Sequence, residues 1–253
     1  MENNFYIFTN DDYAKVYLPN HEFSDKFSTR DNHEIIFRKI NTLLIKSKLI
    51  NGNIIDLGCW IGDNSLPWSK NISGMIFSID PGPENCNYVK ELIKINNTQN
   101  IKVIQEVVSD SVKVVSTDYD LSHATFDSND NGSIKLNSTT LDILFEKNEI
   151  FGIDYIHLDV EGMEAQVIMG SENVIRYFQP IITFEQHLNQ DDYISLSSNL
   201  KKKGYLVLLI NEVLPGCNPD CRNFIAFPNR IGFDRIKRDI IEVLNIPEIF
   251  TII

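Results

Sequence analysis

Apolar and polar positions along this chain change spacing in a regular order. Ile35, Ile36, Ile40, Leu43 and Leu44 recur at helical spacing, with Asp31 placed as N-cap and Asn51-Gly52 as the stop. A short apolar run over 53–57 predicts a strand. A helix follows from about Asp63, then a strand over 74–79, a helix over 83–96 with Pro83 at its start, and a strand over 101–108. Strand–helix–strand–helix–strand is the signature of a right-handed parallel sheet. Further on come a short helix over 140–147 capped by Thr139 or Thr140, a strand over 153–159 and a helix over 163–178 broken near Gly170. A strand over 180–186 and a helix over 191–203, stopped by Gly204, complete the alternation. Tyr205–Ile210 and Arg222–Pro228 have no helix between them and read as an antiparallel pair. A last helix spans 233–244. The expected fold is α/β: seven strands, mostly parallel with the last antiparallel, and helices on both faces.

Two segments stand apart from this rhythm. Residues 1–30 mix aromatics with turn residues and predict short strands or a flap; Tyr13, Tyr17 and Phe23 there suit either a pocket wall or, more commonly, a core. Residues 111–138 alternate at Val112, Val114 and Ser116, pass through the dense turn signal Ser128-Asn-Asp-Asn-Gly132, and alternate again at Ile134 and Leu136. They predict a β-hairpin-like insertion. With residues 230–253 read as a C-terminal helix, all 253 residues fit one domain.

Composition narrows the partners. An apolar share of 43% and a charged share of 23% are ordinary for a globular chain. A net charge of -12 argues against nucleic acid and against an anionic membrane, both of which attract Lys and Arg clusters. Lys201-Lys-Lys203 is the lone basic run and reads as the solvated end of a helix. Met1-Glu-Asn-Asn lacks the pattern of a secretory leader, and no apolar run approaches about 18 residues, so the expectation is a cytoplasmic protein. Cys59, Cys86, Cys217 and Cys221 are too few for a disulfide scaffold. The single Cys217-x3-Cys221 pair supplies two of the four ligands a structural zinc wants, so no metal is expected from it.

Three stretches carry chemistry. The first strand runs into Asp56-x-Gly58-x-x-x-Gly62, a strand–turn–helix junction of the kind that presents backbone and helix N-terminal N–H groups to a ligand. Its spacing is not the G-x-G-x-x-G of a dinucleotide fold; it suits the wider loop that cradles the amino-acid end of S-adenosylmethionine. Asp80 ends the second strand, where a carboxylate can accept from both hydroxyls of a ribose or can cap the helix after Pro81. The third stretch is His157-Leu-Asp-Val-Glu-Gly-Met-Glu164. His157 and Asp159 share a strand face, Glu161 sits in the following turn, and Glu185 and His187 share a face of the next strand. Such a cluster of titratable groups at one sheet edge points to a site, whereas Glu164 alone reads as a helix N-terminal carboxylate.

The run from residue 31 to 187 resembles the FkbM-type methyltransferases, class I S-adenosylmethionine-dependent enzymes that methylate hydroxyl oxygens of sugars and natural products. The matching pieces are Asp31-Asn-His-Glu34, Ile54-Ile-Asp-Leu-Gly with Gly62, Phe77-Ser-Ile-Asp-Pro81, Val107-Val-Ser-Asp110, Ser138-Thr-Thr-Leu-Asp142, Ile156-His-Leu-Asp-Val-Glu-Gly-Met-Glu164 and Thr183-Phe-Glu185. Cys59-Trp60 fills the middle of a loop that usually reads Gly-Ala-Asn-x-Gly, Asp80 replaces a usual Glu, and His157 stands where Lys is common. The resemblance implies a Rossmann-like fold and a cofactor held by Asp56, Gly58, Cys59, Trp60, Gly62, Asp80, Ser109, Asp110 and Asp159. It implies a sugar or small-molecule acceptor. His187 or His157 is then the expected base, with Asp159 and Glu161 orienting acceptor or cofactor. In the alternative, Asp159, Glu185 and His187 hold Mg²⁺ and acidify the hydroxyl. Rival readings are an RNA 2′-O-methyltransferase, an N-methyltransferase, a nicotinamide oxidoreductase and an inactive cofactor-binding partner subunit.

Overall fold

The computed structural model describes residues 5–8, 15–29, 33–117, 134–214 and 217–253. In chain order the elements begin with an antiparallel pair, β1 (Phe5–Phe8) and β2 (Val16–Pro19), then helices α1 (Glu22–Thr29) and α2 (Ile35–Lys46). The alternating part follows as β3 (Asn53–Leu57), α3 (Ser65–Ser69), β4 (Ile76–Ile79), α4 (Pro83–Ile95) and β5 (Ile101–Ile104). Next come β6 (Val107–Val108), β7 (Val114–Thr117), β8 (Ile134–Thr139), α5 (Leu141–Glu146), β9 (Ile153–Leu158), α6 (Glu164–Met169), α7 (Glu172–Phe178) and β10 (Ile181–His187). The chain ends with α8 (Tyr193–Lys202), β11 (Tyr205–Ile210), β12 (Cys221–Pro228), α9 (Phe233–Leu244) and β13 (Phe250–Ile252).

Eight strands form the central sheet, in the order β13-β11-β12-β10-β9-β3-β4-β5. The neighbours from β10 through β5 pair in parallel, and β12 and β13 pair antiparallel to theirs. The expectation of seven strands is therefore one short. Phe250-Thr-Ile252 is too brief to show a period, and only its pairing with β11 makes it a strand. The expected third strand also divides. Ile101–Ile104 stays in the main sheet, while Val107–Val108 joins β8 and β7 in a separate three-stranded sheet. β7 and β8 are antiparallel, as a hairpin requires, and its turn at 128–132 lies outside the described residues.

Strand periodicity splits the core in two. Ile54, Ile76, Tyr155, Ile181 and Ile225 face α2, α3, α4 and α9. Ile55, Phe77, Ile156, Ile182 and Phe224, their neighbours along each strand, face α5, α6, α7 and α8. Both faces are covered, which is why these strands read as nearly continuous apolar runs. Phe23 packs edge-on against Tyr88 in the first of these cores, so it serves packing; Tyr17 is at the surface and Tyr13 lies outside the described residues. The helix breaks at Gly170, and glycine is required there because a Cβ would come within 2.1 Å of the Ser109 carbonyl oxygen.

α2 begins at Ile35, and Asp31, its expected cap, lies outside the described residues. Glu34 at the N-cap is left-handed and makes no cap bond with its side chain. The cap comes instead from Glu212, whose carboxylate accepts the Ile36 and Phe37 N–H groups at 2.8 and 2.9 Å. Burial raises the Glu212 pKa, and those two bonds oppose the rise. Replacing Glu212 with Ala leaves two amides of the first turn unpaired and should lower stability by about 1–2 kcal/mol. A shifted urea midpoint at constant slope is the expected reading; an unmoved midpoint would remove the cap from the account.

Candidate functional site

The turn after β3 is built from left-handed residues: Gly58 (φ 78), Trp60 (φ 43) and Gly62 (φ 73). Glycine is required at 58 on two counts, since its φ is positive and a Cβ would lie 1.7 Å from the Asp159 carbonyl oxygen. The turn and the segment after β9 are therefore pressed backbone to backbone. The turn's own N–H groups are largely spent within the protein. Gly58 and Cys59 donate to the Ile79 carbonyl, Gly62 to the Cys59 carbonyl, and Trp60 to Asp80 Oδ2 at 2.9 Å. Asp80 is buried and also accepts from the Gly82 N–H at 2.7 Å and from Asn85 Nδ2 at 3.1 Å. Burial raises its pKa to about 6 against the pull of those bonds. Asp80 thus fastens the first turn to the second; the N-cap of α4 is Gly82, which has no side-chain cap bond, so the expected capping by Asp80 is not what its carboxylate does. Cys59 points into the core, and burial raises its thiol pKa. Trp60 lies against the N-terminal segment, with Lys26 of α1 5.9 Å above its ring. Asn64, two residues past Gly62, is buried with its side-chain oxygen unpartnered. That acceptor is a fit for a donor such as the ammonium of an amino-acid-bearing cofactor.

Beneath the turn lies a sealed polar pair. Asp56 and His157 face each other across β3 and β9, and His157 Nδ1–H donates to Asp56 Oδ1 at 2.9 Å. Ser65 Oγ donates to the other oxygen of Asp56 and lies 2.6 Å from Ser78 Oγ. Phe37 and Trp68 cover the His157 ring. Burial opposes charge on that ring, but the Asp56 hydrogen bond and the fields of Asp56, Asp159 and Glu34 outweigh it and hold the pKa above the usual histidine value. At 3% exposure His157 does not reach an acceptor, so the structure separates it from the other expected catalytic groups. Asp56 likewise lies under the turn at 1% exposure.

Those other groups do converge. Asp159, Glu161, Gly162, Glu164, Glu185, His187 and Asp191 line one narrow cleft at the carboxyl ends of β9 and β10. Glu161 (φ 51) and Gly162 (φ 92) hold a left-handed turn that leads into α6. Glu164 closes this turn. Its carboxylate accepts from the Val160 N–H at 3.0 Å and from Gln186 Nε2 at 2.8 Å, and burial raises its pKa to about 8. It is more than the helix-end carboxylate its sequence suggests. His187 is fixed by its backbone N–H, which donates to Asp191 Oδ2, and its Nδ1 faces Asp220 Oδ1 at 3.7 Å. Burial and the field of Asp159 push the Glu185 carboxyl well above its usual range. Sequence reading passed over Asp191 and Asp220. Each caps a turn whose shape shows only once β10 and β12 are paired.

Among the described residues, the group whose ligand-type atoms lie within 4.8 Å of one another is Glu185, His187 and Cys221. The expected Mg²⁺ set of Asp159, Glu185 and His187 is not that group. Cys221 takes the third place, and a thiol is a poor ligand for so hard an ion. Ser109 and Asp110 lie on the edge toward the three-stranded sheet. Ser109 is buried, and Lys113 pairs with Asp110 at 2.6 Å and lowers its pKa.

This geometry has known counterparts. Residues 61–207 match the model of the methyltransferase FkbM domain. The chain belongs to the FkbM methyltransferase family. It superposes on the crystal structure of methyltransferase FkbM from Methylobacillus flagellatus KT with a TM-score of 0.52 at 14% identity, over 74% of this chain and 47% of that one. It thus spans about half the length of that relative. The precorrin-6y C5,15-methyltransferase of Geobacter metallireducens GS-15 gives 0.48 at 12% identity, over 77% and 87%. The TYW2 protein of M. jannaschii, solved in complex with AdoMet, gives 0.42 at 13% identity, over 89% and 85%. No curated protein matches this chain. In this FkbM-family chain the matched span begins inside the first turn and includes every residue of the β9–β10 cleft.

Two outcomes follow from the turn and the pair beneath it. Gly58→Ala should cost more than about 2 kcal/mol, because the strain and the clash fall on backbone that cannot swing aside; a melting temperature equal to wild type would contradict the contact. For His157 the folded pKa lies above the unfolded value of 6.5. Its contribution is therefore complete below that pH and fades as the pH climbs through the raised value. A His157→Gln chain should lack that decline on the alkaline side, read from denaturant midpoints across the pH range; parallel profiles would count against a charged pair.

Proposed function

We propose that this FkbM-family chain is an S-adenosylmethionine-dependent O-methyltransferase acting on a hydroxyl of a carbohydrate or small natural product. The observation that carries the reading is the convergence of Asp159, Glu161, Glu185 and His187 on one cleft, directly against the Gly58 turn. A family match to methyltransferases supports it, as does the buried, unpartnered Asn64 oxygen beside the turn. The four cysteines are free thiols, which suits a reducing cytoplasm. No helix among the described residues is long and apolar enough to cross a membrane.

The bound cofactor supplies a methyl group on a sulfonium, with its sulfur as the leaving group. The protein's share is alignment and proton removal. The close packing of the Gly58 turn on Asp159 supports assigning the methyl side to the turn after β3 and the acceptor side to the turn after β9. Asp159 and Glu161 are assigned to hold the acceptor, as carboxylates accept hydrogen bonds from sugar hydroxyls. His187 is assigned as the base. Asp220 sits beside Nδ1 and leaves Nε2 free to take the proton of an acceptor hydroxyl. His157 is a positioning residue, fixed on Asp56 below the turn.

Calorimetric titration should show S-adenosylmethionine binding and no NAD binding. With a glycan panel as acceptor and release of S-adenosylhomocysteine as the signal, His187→Ala should lose at least about 100-fold in turnover while keeping its affinity for the cofactor. Unchanged turnover would sink the base assignment.

A further inference from the structure

Cys217 and Cys221 have no part in methyl transfer, yet they adjoin the cleft. The sheet dictates how. β10 and β12 are antiparallel, and His187 is the direct cross-strand partner of Cys221. Glu185, two residues back along β10, projects from the same face as His187. Three side chains with ligand atoms thus share one patch of the sheet by register alone, and those atoms lie within 4.8 Å of one another. Cys221 is buried at the floor, while Glu185 and His187 line the cleft and give an entry path. Cys217 Sγ, nearby, is 3.5 Å from His33 Nε2.

We infer that Glu185, His187 and Cys221 form a binding site for a thiophilic divalent cation of the zinc class. One thiolate, one imidazole and one carboxylate are a borderline-soft set that favours Zn²⁺ or Co²⁺ over Mg²⁺ and Ca²⁺. Three protein ligands leave one position of a tetrahedral ion for water or an acceptor oxygen. The spread of 4.8 Å exceeds the ligand separations that zinc bonds of ~2.0–2.3 Å produce, so the three side chains draw together on binding. The cation occupies the imidazole that otherwise takes the acceptor's proton. Occupancy therefore turns methyl transfer down, a consequence that rests on the function proposed above; the binding itself does not.

Titration of the full-length, metal-stripped protein with Co²⁺ tests the site directly. Wild type should show intense tetrahedral d–d bands and a thiolate-to-cobalt charge-transfer band, displaced by Zn²⁺. Cys221→Ser should lose the charge-transfer band, and Cys217→Ser should keep it. No band in wild type, or a band that vanishes with Cys217 and survives without Cys221, overturns the site. If Cys221→Ser does not fold, His187→Ala carries the test: Co²⁺ affinity weakened at least ~10-fold supports the site, and equal affinity overturns it. In turnover assays Zn²⁺ should inhibit wild type reversibly, with chelator restoring the rate, and should inhibit Cys221→Ser less, each rate being taken relative to that protein's own metal-free rate. Cobalt binding without inhibition would uphold the cation site and overturn its link to the His187 base. A protein that binds cobalt but no S-adenosylmethionine would instead overturn the proposed function alone.

Discussion

Everything at the site depends on one backbone contact, the Gly58 turn resting on the carbonyl of Asp159. It fixes two adjacent strands at the same height and brings the turn after each into touch. One turn belongs to the methyl donor in our reading and the other to the acceptor. An in-line displacement tolerates little error in the distance between them. A rigid contact with no side chain to flex is a physical means of holding it. Around this contact the protein adds fasteners. Asp80 ties the first turn to the second, Arg38 of α2 pairs with Asp63 at 2.8 Å, and Glu164 closes the turn before α6.

Charge is sorted by depth around that contact. Below it Asp56 and His157 are sealed at 1% and 3% exposure and satisfy each other. Breaking such a pair leaves one buried charge alone, so the pair holds the strands and turn in register. Above it the cleft gathers carboxylates around the half-buried ring of His187. In the proposed reading, histidine serves structure in one layer and chemistry in the other. The two rings sit one strand apart, and only burial tells their roles apart.

Both ends of the chain act on the site from a distance. Glu212, just after β11, caps α2 through the Ile36 and Phe37 N–H groups, and Asn223 of β12 donates to Glu34 at 2.7 Å. α2 in turn holds Asp63 at the end of the first turn. The last antiparallel strands are thus more than an edge to the sheet. They also bring Cys221 opposite His187, which is where the cation site arises.

The sequence by itself determined the α/β alternation, the antiparallel 205–228 pair, the helix break at Gly170 and the gathering of Asp159, Glu161, Glu185 and His187. Periodicity and strand-end position are local properties, and a strand's faces follow from parity alone. The strand at 250–252, the cap on α2 and the partner of His187 came only from tertiary structure. Each depends on residues far apart in the chain meeting: Phe250 with Ile210, Glu212 with Ile36, Cys221 with His187. Depth was hidden for the same reason. His157 and His187 both lie near strand ends beside carboxylates, but Phe37 and Trp68 close over His157, while His187 remains at the cleft. Burial is a property of the whole packed sheet, and no stretch of sequence carries it alone.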